Sequence, residues 1–593
     1  MTNIEIAELL RKVAAAYQIL DENRFKIIAY DRAADSIEHL TREVKDLWDD
    51  GKLGDIHGVG PAITAYLDEL FRTGKVRHFE EVTKKLPSSI YPLLLVPGLG
   101  PKKAYTLVTK LKLHDAKTVI SDLEKAVKSH KIAPLVGFGD KSEADILVNI
   151  ETYKKGQIKE NRMVLPEADA IAQDIMKFLK KLTSVQRVDT LGSLRRKVST
   201  IGDIDISVAT MMPDTVIDHF LTYPHQKVIE RGPTGASLLL HNGRQVDLRV
   251  QTPHAYGAML QYFTGSKNHN ITLRAYALSH GLSLSEYGIK NVKTKKLTEH
   301  ATEEDFYHAL KLDWIPPEMR EDKGELESAI AHRLPHLLEL SDIKGDLHIH
   351  TSYNLEPSHD LGVNDLGECL DEAARLGYEY IGLSDHNPSI GNHTTSQIVN
   401  IMKERKEKYE QQYSSWSKKA KKRVQMFLMC EVDILPSGEL ALPIEAFEYI
   451  DAAIVSIHSS FAVDRSQMTK RVVRALTTYP KVRIFGHPTA RLLGKREGVE
   501  FEWKEIFAVC KDRDIALEIN AYPTRLDLPD SVVFDAKKED LRFCINTDSH
   551  AKDQMNLMQY GVAVARRGWA TKRDIVNTFE YNEFRHWLTK EAV

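Results

Sequence analysis

The sequence is poor in cysteine. Its 593 residues include only four cysteines, and no two of them form a CxxC pair. This argues against a disulfide framework and favours a reducing compartment. No apolar run is long enough to cross a bilayer, and the opening residues, MTNIEIAELLRK, lack a secretory pattern. We therefore expect a cytoplasmic protein that makes no contact with a membrane.

The chain also lacks a strong net charge. The formal net charge is −3, with 42% hydrophobic and 28% charged residues, which is typical of an ordinary globular protein. A nucleic-acid-binding protein is often basic, so this balance is mild evidence against one. Metal-binding carboxylates would mask local basic patches, for which Lys102-Lys103, Lys180-Lys181 and Arg195–Lys197 are candidates. The length predicts several domains.

Three aspartates carry the first chemical signal. Asp203 and Asp205 alternate with isoleucines, so on a strand both carboxylates point to the same face. Asp247 alternates with apolar residues in the same way, within a hairpin whose turn is Asn242-Gly243. Carboxylates held together repel each other unless cations lie between them. Three on neighbouring strands suit two oxygen-seeking cations such as Mg²⁺.

A candidate phosphate site precedes these aspartates. Gly192-Ser193 ends a strand-like run and begins a basic segment. Backbone amides at such a helix start bind phosphate, and the guanidinium of Arg195 or Arg196 would hold its charge. An anion site next to a two-cation site predicts phosphoryl transfer.

With the segment that follows Asp247, these residues strongly resemble the family X DNA polymerases, which include DNA polymerase beta. The resemblance implies that Asp203, Asp205 and Asp247 are catalytic residues that bind Mg²⁺, with Asp247 assisting attack by the primer 3′-hydroxyl. It also implies a set of nucleotide-binding residues: Gly192, Ser193, Arg196, Gly202, Tyr262, Phe263, Gly265, Asn270 and Arg274.

Within that set the resemblance implies separate roles. Ser193 and Arg196 would hold the phosphates of the dNTP. Tyr262-Phe263 would lie against its sugar and help to exclude ribonucleotides. Asn270 and Arg274 would lie along the minor-groove side of the new base pair.

Glycine hairpins in the amino-terminal part predict contacts with the DNA backbone. Such hairpins lead into helix starts, whose amides bind phosphates without reading sequence. A weaker third copy lies at 135–141. The predicted DNA-binding residues are Gly58, Gly60, Gly98, Gly100 and Lys102. Lyase activity, which some family members have in this domain, is not expected, because Ala62 and Tyr66 stand where beta-like members have lysines and Lys26 matches only a phosphate-binding lysine.

From Gly345 onward, short apolar runs end in histidine or acid and alternate with amphipathic helices such as Leu366–Leu376. Polar residues at successive strand ends predict a barrel with its site at the carboxyl edge. So many imidazoles favour Mn²⁺, Zn²⁺ or Fe over Mg²⁺. The runs end at Asp346–His350, Ser384–His386, Cys430–Asp433, Ser456–His458, Gly486–Pro488, Glu518–Asn520 and Thr547–His550.

These motifs resemble the PHP (polymerase and histidinol phosphatase) domain, a distorted (β/α)7 barrel that holds three metal ions. The resemblance implies one ion on His348, His350, Glu431 and Asp548. It implies a second on Glu431, His458 and His487. The third would bind His386, His550 and one further ligand, for which we select Asp360, with His359 as the alternative.

The whole pattern predicts a multidomain α+β and α/β protein. The expected domains are helix-hairpin-helix domains at 1–85 and 86–158, a nucleotidyltransferase palm at 159–252, a thumb at 253–318, a linker at 319–342 and the PHP domain at 343–593. The expected function is gap-filling DNA synthesis in base-excision repair by a monomer, on gapped or nicked DNA. The PHP domain would add 3′→5′ exonuclease, 3′-end-processing or abasic-site endonuclease activity. The alternative is a PHP phosphoesterase whose inactive polymerase half only binds DNA.

Overall fold

The computed structural model describes the chain apart from residues 2, 39–43, 50, 57, 97–98, 136, 155–161, 358 and 591–593. The chain divides into two compact units, Met1–Glu160 and Asn161–Val593. Among the described residues, no helix combines the length and the apolar character needed to cross a bilayer.

The first unit is helical because apolar residues recur along it at helical spacing. Ile6, Leu10, Val13 and Tyr17, for example, are all buried on one face of the first helix. The helices of this unit are α1 (Asn3–Ile19), α2 (Arg24–Glu38), α3 (Val44–Asp49), α4 (Pro61–Thr73), α5 (Arg77–Thr83), α6 (Ile90–Leu93), α7 (Pro101–Lys110), α8 (Val119–Lys128) and α9 (Asp140–Lys154).

Two of these helices begin in the way that the glycine hairpins predict. Gly60 and Gly100 are extended residues that precede Pro61 and Pro101, the first residues of α4 and α7. Proline fits this first position because the amide that it lacks has no partner in the helix. Gly58 turns the first hairpin with φ at +80°, which side chains other than glycine rarely adopt.

The second unit begins with a mixed sheet whose strand order is β2-β4-β7-β6-β5. β4 and β7 are parallel neighbours, and the turn at Asn242-Gly243 joins β6 to β7 as predicted. The elements are β1 (Met163–Val164), α10 (Leu165–Leu179), β2 (Arg187–Thr190), α11 (Gly192–Arg195), β3 (Thr200–Ile201), β4 (Ile204–Ala209), α12 (Pro213–Phe220), β5 (Lys227–Gly232), β6 (Gly235–Leu239) and β7 (Gln245–Gln251).

Helices and a small antiparallel sheet follow. They are α13 (Tyr256–Thr264), α14 (Lys267–Ser279), β8 (Leu282–Ser285), β9 (Gly288–Asn291), β10 (Leu297–Thr298), α15 (Glu303–Ala309) and α16 (Glu325–Ile330). The last of these lies in the stretch that we predicted as a linker. That stretch is packed, because Met319, Arg320 and Ala329 are fully buried.

A buried ion-pair triad joins this region to the sheet. Glu303 of α15 accepts hydrogen bonds from Arg195 of α11 at 2.9 Å and from Arg320 at 2.7 Å. Burial alone would raise the pKa of Glu303, but Arg320 and Arg195 outweigh burial and hold that pKa at about 2. Because this value lies below the ordinary 4.5, the stabilisation from Glu303 is present above pH 4.5 and is lost as the pH falls towards 2.

We expect Glu303→Ala to lower the melting temperature strongly at pH 7. The substitution removes the carboxylate that pairs with fully buried Arg320 and partly buried Arg195, and breaking such a buried pair costs about 3–5 kcal/mol. Thermal unfolding of the variant and of Glu304→Ala, an exposed neighbour on the same helix, checks this. The difference in melting temperature between the two variants should decrease as the pH falls from 5 towards 2. Equal melting temperatures at pH 7 would contradict the assignment.

The rest of the unit is a seven-stranded parallel sheet in chain order, β11 to β17. Its last strand returns to its first: His350 donates its amide to Ser549 at 2.8 Å, and Ser549 donates its own to His348 at 3.1 Å. The sheet is therefore a nearly closed barrel. The strands are β11 (Gly345–Ile349), β12 (Tyr380–Leu383), β13 (Gln425–Asp433), β14 (Ala452–Ser456), β15 (Val482–Phe485), β16 (Ala516–Asn520) and β17 (Phe543–Asn546).

Helices connect these strands, as parallel pairing requires. The connecting helices are α17 (Leu366–Leu376), α18 (Thr395–Ser417), α19 (Arg465–Thr478), α20 (Trp503–Asp512) and α21 (Asp530–Lys538), and a short 3-10 helix (Ile444–Tyr449) lies between β13 and β14. Two further helices, α22 (Met558–Arg567) and α23 (Tyr581–Thr589), follow the last strand. The predicted fold class, α+β and α/β with a distorted barrel, is confirmed.

Strand residues alternate between two apolar clusters. Phe427 and Met429 of β13 belong to one cluster, together with Phe584 and Trp587 of α23. Leu428, between them, belongs to the other cluster, which contains the surrounding helices and also the core of the β2–β7 sheet. The barrel and that sheet therefore share one continuous apolar core.

Candidate active sites

The three predicted aspartates meet at the edge of the β2–β7 sheet. Asp205 of β4 lies directly opposite Asp247 of β7, and Asp203 immediately precedes β4. Carboxylate oxygens of all three lie within 4.8 Å of one another. Burial and the charges of Asp203 and Asp247 raise the pKa of Asp205 well above its ordinary value. An oxygen-only donor set with this much repulsion fits hard divalent cations such as Mg²⁺.

Gly192 lies directly against this cluster. It begins α11 with φ at +55°, and a Cβ on it would lie 2.5 Å from Oδ2 of Asp205. No larger residue fits there without displacing the carboxylate. The neighbouring candidates lie in the same segment, with Ser193 in α11 and Arg196 just after it. Gly202 precedes Asp203, and a Cβ on it would lie 3.2 Å from Nη1 of Arg162.

The remaining nucleotide-binding candidates lie on α13 and α14. Asn270 donates its side-chain amide to the carbonyl of Tyr262 at 2.8 Å. Arg274 lies over the Tyr262 ring, 5.1 Å from its centroid. Phe263 packs edge-on against Tyr262. A Cβ on Gly265 would lie 3.2 Å from Nη1 of Arg196, so the end of α13 meets the α11 segment.

The second cluster lies at the carboxyl edge of the barrel. It consists of overlapping groups whose potential ligand atoms lie within 4.8 Å of one another. The groups are His348, His350, Glu431 and Asp548; Glu431, His458 and His487; His350, His386 and His550; and His359, His386, Asp433 and His458. Every predicted barrel ligand except Asp360 belongs to one of these groups, and Asp360 lines the same cavity.

Glu431, which ends up fully buried on β13, is the centre of this cluster. Five imidazoles point a nitrogen at its carboxylate. The distances are 2.9 Å for His487, 3.0 Å for His386, 3.2 Å for His348, 3.4 Å for His458 and 3.6 Å for His350. So many imidazoles around one carboxylate are the donor set that Mn²⁺, Zn²⁺ or Fe prefers.

Unsatisfied nitrogens support this fit to metal ions. Among the described residues, His348 Nε2, His386 Nδ1, His350 Nδ1 and His487 Nδ1 are buried without a hydrogen-bond partner. The first two lie close to Glu431 but without hydrogen-bond geometry. Buried polar atoms are almost always satisfied, and two unsatisfied nitrogens facing one carboxylate fit a cation between them.

The further ligand of the third ion, for which we selected Asp360 with His359 as the alternative, stays a prediction. Asp360 is exposed at the mouth of the cavity and belongs to none of the ligand groups that the described residues form. Its neighbour His359, the alternative, lies in a group with Asp433 and donates its Nε2 proton to that carboxylate at 2.8 Å.

The sequence pattern places Asp433 and Glu518 at strand ends but assigns neither of them to the site, and it does not reveal Arg525. Asp433 alternates with Glu431 along β13, a period-two signal that would have found it. Glu518 lies 2.7 Å from Nδ1 of His348, and a ligating imidazole commonly has such a carboxylate partner. Burial alone would lower the pKa of His348, but Glu518 and the other carboxylates raise it well above its ordinary value.

Arg525 has no local motif that would have revealed it. It lines a cavity of about 260 Å³ together with His359, Asp360, Glu431 and other ligand candidates. Its Nε lies 3.5 Å from Asp548, and its Nη1 is buried with no hydrogen-bond partner among the described residues. A cation with an unused donor beside the cluster suits an anionic ligand.

The DNA-binding candidates lie in the first unit. Gly60 and Gly100 are exposed immediately before α4 and α7, and Gly58 turns the first hairpin. Lys102 is exposed in the first turn of α7 and pairs with Asp21. Gly98 lies outside the described residues.

Comparisons with known proteins agree with this architecture. Family models match three parts of the chain: a helix-hairpin-helix domain at residues 1–76, a DNA polymerase beta thumb at 259–321 and a PHP domain at 346–522. The chain is 32% identical over 591 residues to the DNA polymerase/3′-5′ exonuclease PolX of Bacillus subtilis, covering 99% of each. It is 22% identical over 353 residues to DNA polymerase lambda of Rattus norvegicus, covering 54% of this chain and 56% of the other.

One relative, matched over 99% of both chains, thus combines the resemblance to family X DNA polymerases with the resemblance to the PHP domain. The similarity to PolX covers 99% of this chain, an extent that includes the thumb match and the barrel. The chain belongs to the family X DNA polymerases that carry a PHP domain.

Proposed function

We propose that this chain fills short gaps in DNA during base-excision repair and trims DNA 3′ ends at a second, separate metal centre. The observation that carries the proposal is the presence in one chain of two different ligand clusters, an all-carboxylate one and an imidazole-rich one. The first suits Mg²⁺ and nucleotidyl transfer, the second Mn²⁺ or Zn²⁺ and hydrolysis.

In the polymerase half, Asp203, Asp205 and Asp247 would hold Mg²⁺. Bound cations there would supply Lewis-acid stabilisation of the charge that develops on the phosphates. Asp247 lies next to the primer 3′-hydroxyl and assists its attack. Ser193 and the Arg196 guanidinium hold the triphosphate, and the α11 amides add donors to it.

The rest of this half positions DNA and sugar. Tyr262 and Phe263 lie against the dNTP sugar and exclude a ribose 2′-hydroxyl. Asn270 and Arg274 follow the minor-groove side of the new pair. The hairpins at 58–60 and 98–100, with Lys102, bind the backbone of gapped or nicked duplex. We keep the domain limits proposed from the sequence, with the palm at 159–252 and the PHP domain at 343–593, and propose a monomer.

In the barrel, three Mn²⁺ or Zn²⁺ ions would bind the ligand groups around Glu431, with His359 and Asp433 completing the third. Those ions would supply the charge that activates water and holds the scissile phosphate. Arg525 binds a non-bridging phosphate oxygen through its unused nitrogen. Exposed Asp360 is part of the cavity lining, so the cavity faces solvent on that side, where a 3′ end or an abasic-site strand would enter.

The test uses a labelled primer at a one-nucleotide gap in duplex DNA, with Mg²⁺ or Mn²⁺. With dNTPs the primer is expected to grow by one nucleotide, and without dNTPs it is expected to shorten from its 3′ end. A chelator should stop both reactions. A primer that shortens but never grows under either metal would favour the alternative, in which the polymerase half only holds DNA. A primer that does neither would contradict the proposal.

A further inference from the structure

Helix α22 of the barrel ends in Arg566 and Arg567, and each of them forms hydrogen bonds with groups outside the barrel. Arg567 is only 6% exposed. Its Nη1 donates to the backbone carbonyl of Arg196 at 2.8 Å and to Glu321 Oε1 at 2.9 Å. Its Nη2 donates to Asp530 of the barrel at 3.0 Å. A barrel side chain thus contacts the segment that we propose holds the triphosphate.

Glu321 is shared between two guanidinium groups. The same oxygen, Oε1, also accepts a hydrogen bond from Nε of Arg196 at 3.1 Å. Arg196 donates its Nη1 to the carbonyl of Thr264 at the end of α13. The guanidinium of Arg196 is therefore bound by both Glu321 and the Thr264 carbonyl. The negative charge of Glu321 is shared between Arg196 and Arg567.

Removing Arg567 removes its contacts with the carbonyl of Arg196 and with Glu321. The carbonyl of Arg196 loses its donor, so the turn after α11 loses an anchor. Glu321 is partly buried and keeps Arg196 as its partner on that oxygen. It then binds Arg196 more strongly, because its negative charge is no longer shared with Arg567. An Arg196 bound more strongly to Glu321 is less available to phosphate oxygens.

We propose that Arg567, a residue of the PHP barrel, is a positioning residue of the polymerase nucleotide site. It anchors the backbone of Arg196 and takes part of the charge of Glu321, so that the Arg196 guanidinium is set for the triphosphate. The inference rests on the proposed polymerase function. In this proposal the barrel contributes to dNTP binding and also carries the nuclease site.

The chain offers a matched control in the preceding residue. Arg566 also forms short hydrogen bonds with groups outside the barrel, to Glu318 at 2.8 Å, Glu339 at 2.6 Å and the carbonyl of Leu338 at 2.9 Å. None of these groups touches Arg196 among the contacts that the structure describes. Arg566→Ala therefore removes a comparable ion pair without disturbing the nucleotide segment.

The experiment compares Arg567→Ala, Arg567→Lys and Arg566→Ala in the full chain, by steady-state incorporation of one dNTP at a gap. We expect Arg567→Ala to raise the KM for dNTP about tenfold, the effect of losing about 1.4 kcal/mol of binding, with kcat within about twofold. Arg567→Lys should recover part of the loss. Arg566→Ala should leave KM and kcat unchanged. The 3′ hydrolysis rate and the melting temperature test whether the barrel stays folded.

Three results would overturn the inference. They are an unchanged KM in Arg567→Ala, an equal rise in Arg566→Ala, and a fall in kcat and hydrolysis together with a lower melting temperature, which would indicate a structural role only. Failure of the proposed polymerase function gives a different result, because the wild-type chain would then incorporate no nucleotide.

Discussion

Replacing Glu431 by alanine is expected to abolish 3′ hydrolysis while dNTP incorporation continues. Glu431 belongs to two of the barrel ligand groups, and five imidazoles converge on it. Without its carboxylate these imidazoles have no central anion, and cations between them would repel one another. We expect the hydrolysis rate to fall roughly a thousandfold or more, which corresponds to about 4 kcal/mol. Product length on a labelled primer without dNTPs measures it.

The metal content of the purified variant gives an independent measurement. Because Glu431 is common to two groups, the variant should lose about two ions per chain relative to wild type. The control is Glu439→Ala, an exposed carboxylate just after β13 that pairs with Arg474. It should keep full hydrolysis and metal content. Normal hydrolysis by Glu431→Ala would show that the nuclease site lies elsewhere.

Replacing Asp205 by alanine should have the opposite selectivity, with no synthesis and intact hydrolysis. Asp205 lies between Asp203 and Asp247, so its loss breaks any cation site that bridges them. We expect incorporation at a one-nucleotide gap to fall roughly a thousandfold or more. Primer extension under Mg²⁺ and under Mn²⁺ measures this.

The matched control for this variant is Asp214→Ala, an exposed aspartate on α12 in the same domain. It should extend the primer at the wild-type rate. The 3′ hydrolysis of Asp205→Ala shows that the barrel stays folded. Retained synthesis by Asp205→Ala would refute the assignment of the triad, whatever the nuclease does.

Local patterns in the sequence were sufficient for many elements of the fold. The helix predicted at Leu366–Leu376 has the same bounds in the structure, because an aspartate cap, a glycine end and an apolar stripe all agree there. The seven barrel strands were found because each is an apolar run that ends in histidine or acid. These signals depend on neighbours in sequence, so no tertiary information was needed.

Buried charge was harder to predict. Helix α18 is rich in lysine, glutamate and glutamine, a composition that is typical of a solvated helix. Yet Arg405 of this helix is 1% exposed and donates to Asp385 at 2.8 Å. An arginine in such a helix usually faces solvent, and only the arrival of a carboxylate from another strand makes its burial favourable.

The sequence by itself determined on which face of its strand each candidate aspartate, histidine and glutamate lies, because side chains alternate between the two faces of a strand. Only the tertiary structure decided which of these faces meet. The parallel register of β4 and β7 places Asp205 opposite Asp247, and the loop after β11 brings His359, not Asp360, to Asp433. The contact of Arg567 with Arg196 joins positions 371 residues apart. Register and loop path depend on packing over the whole unit, which local spacing does not encode.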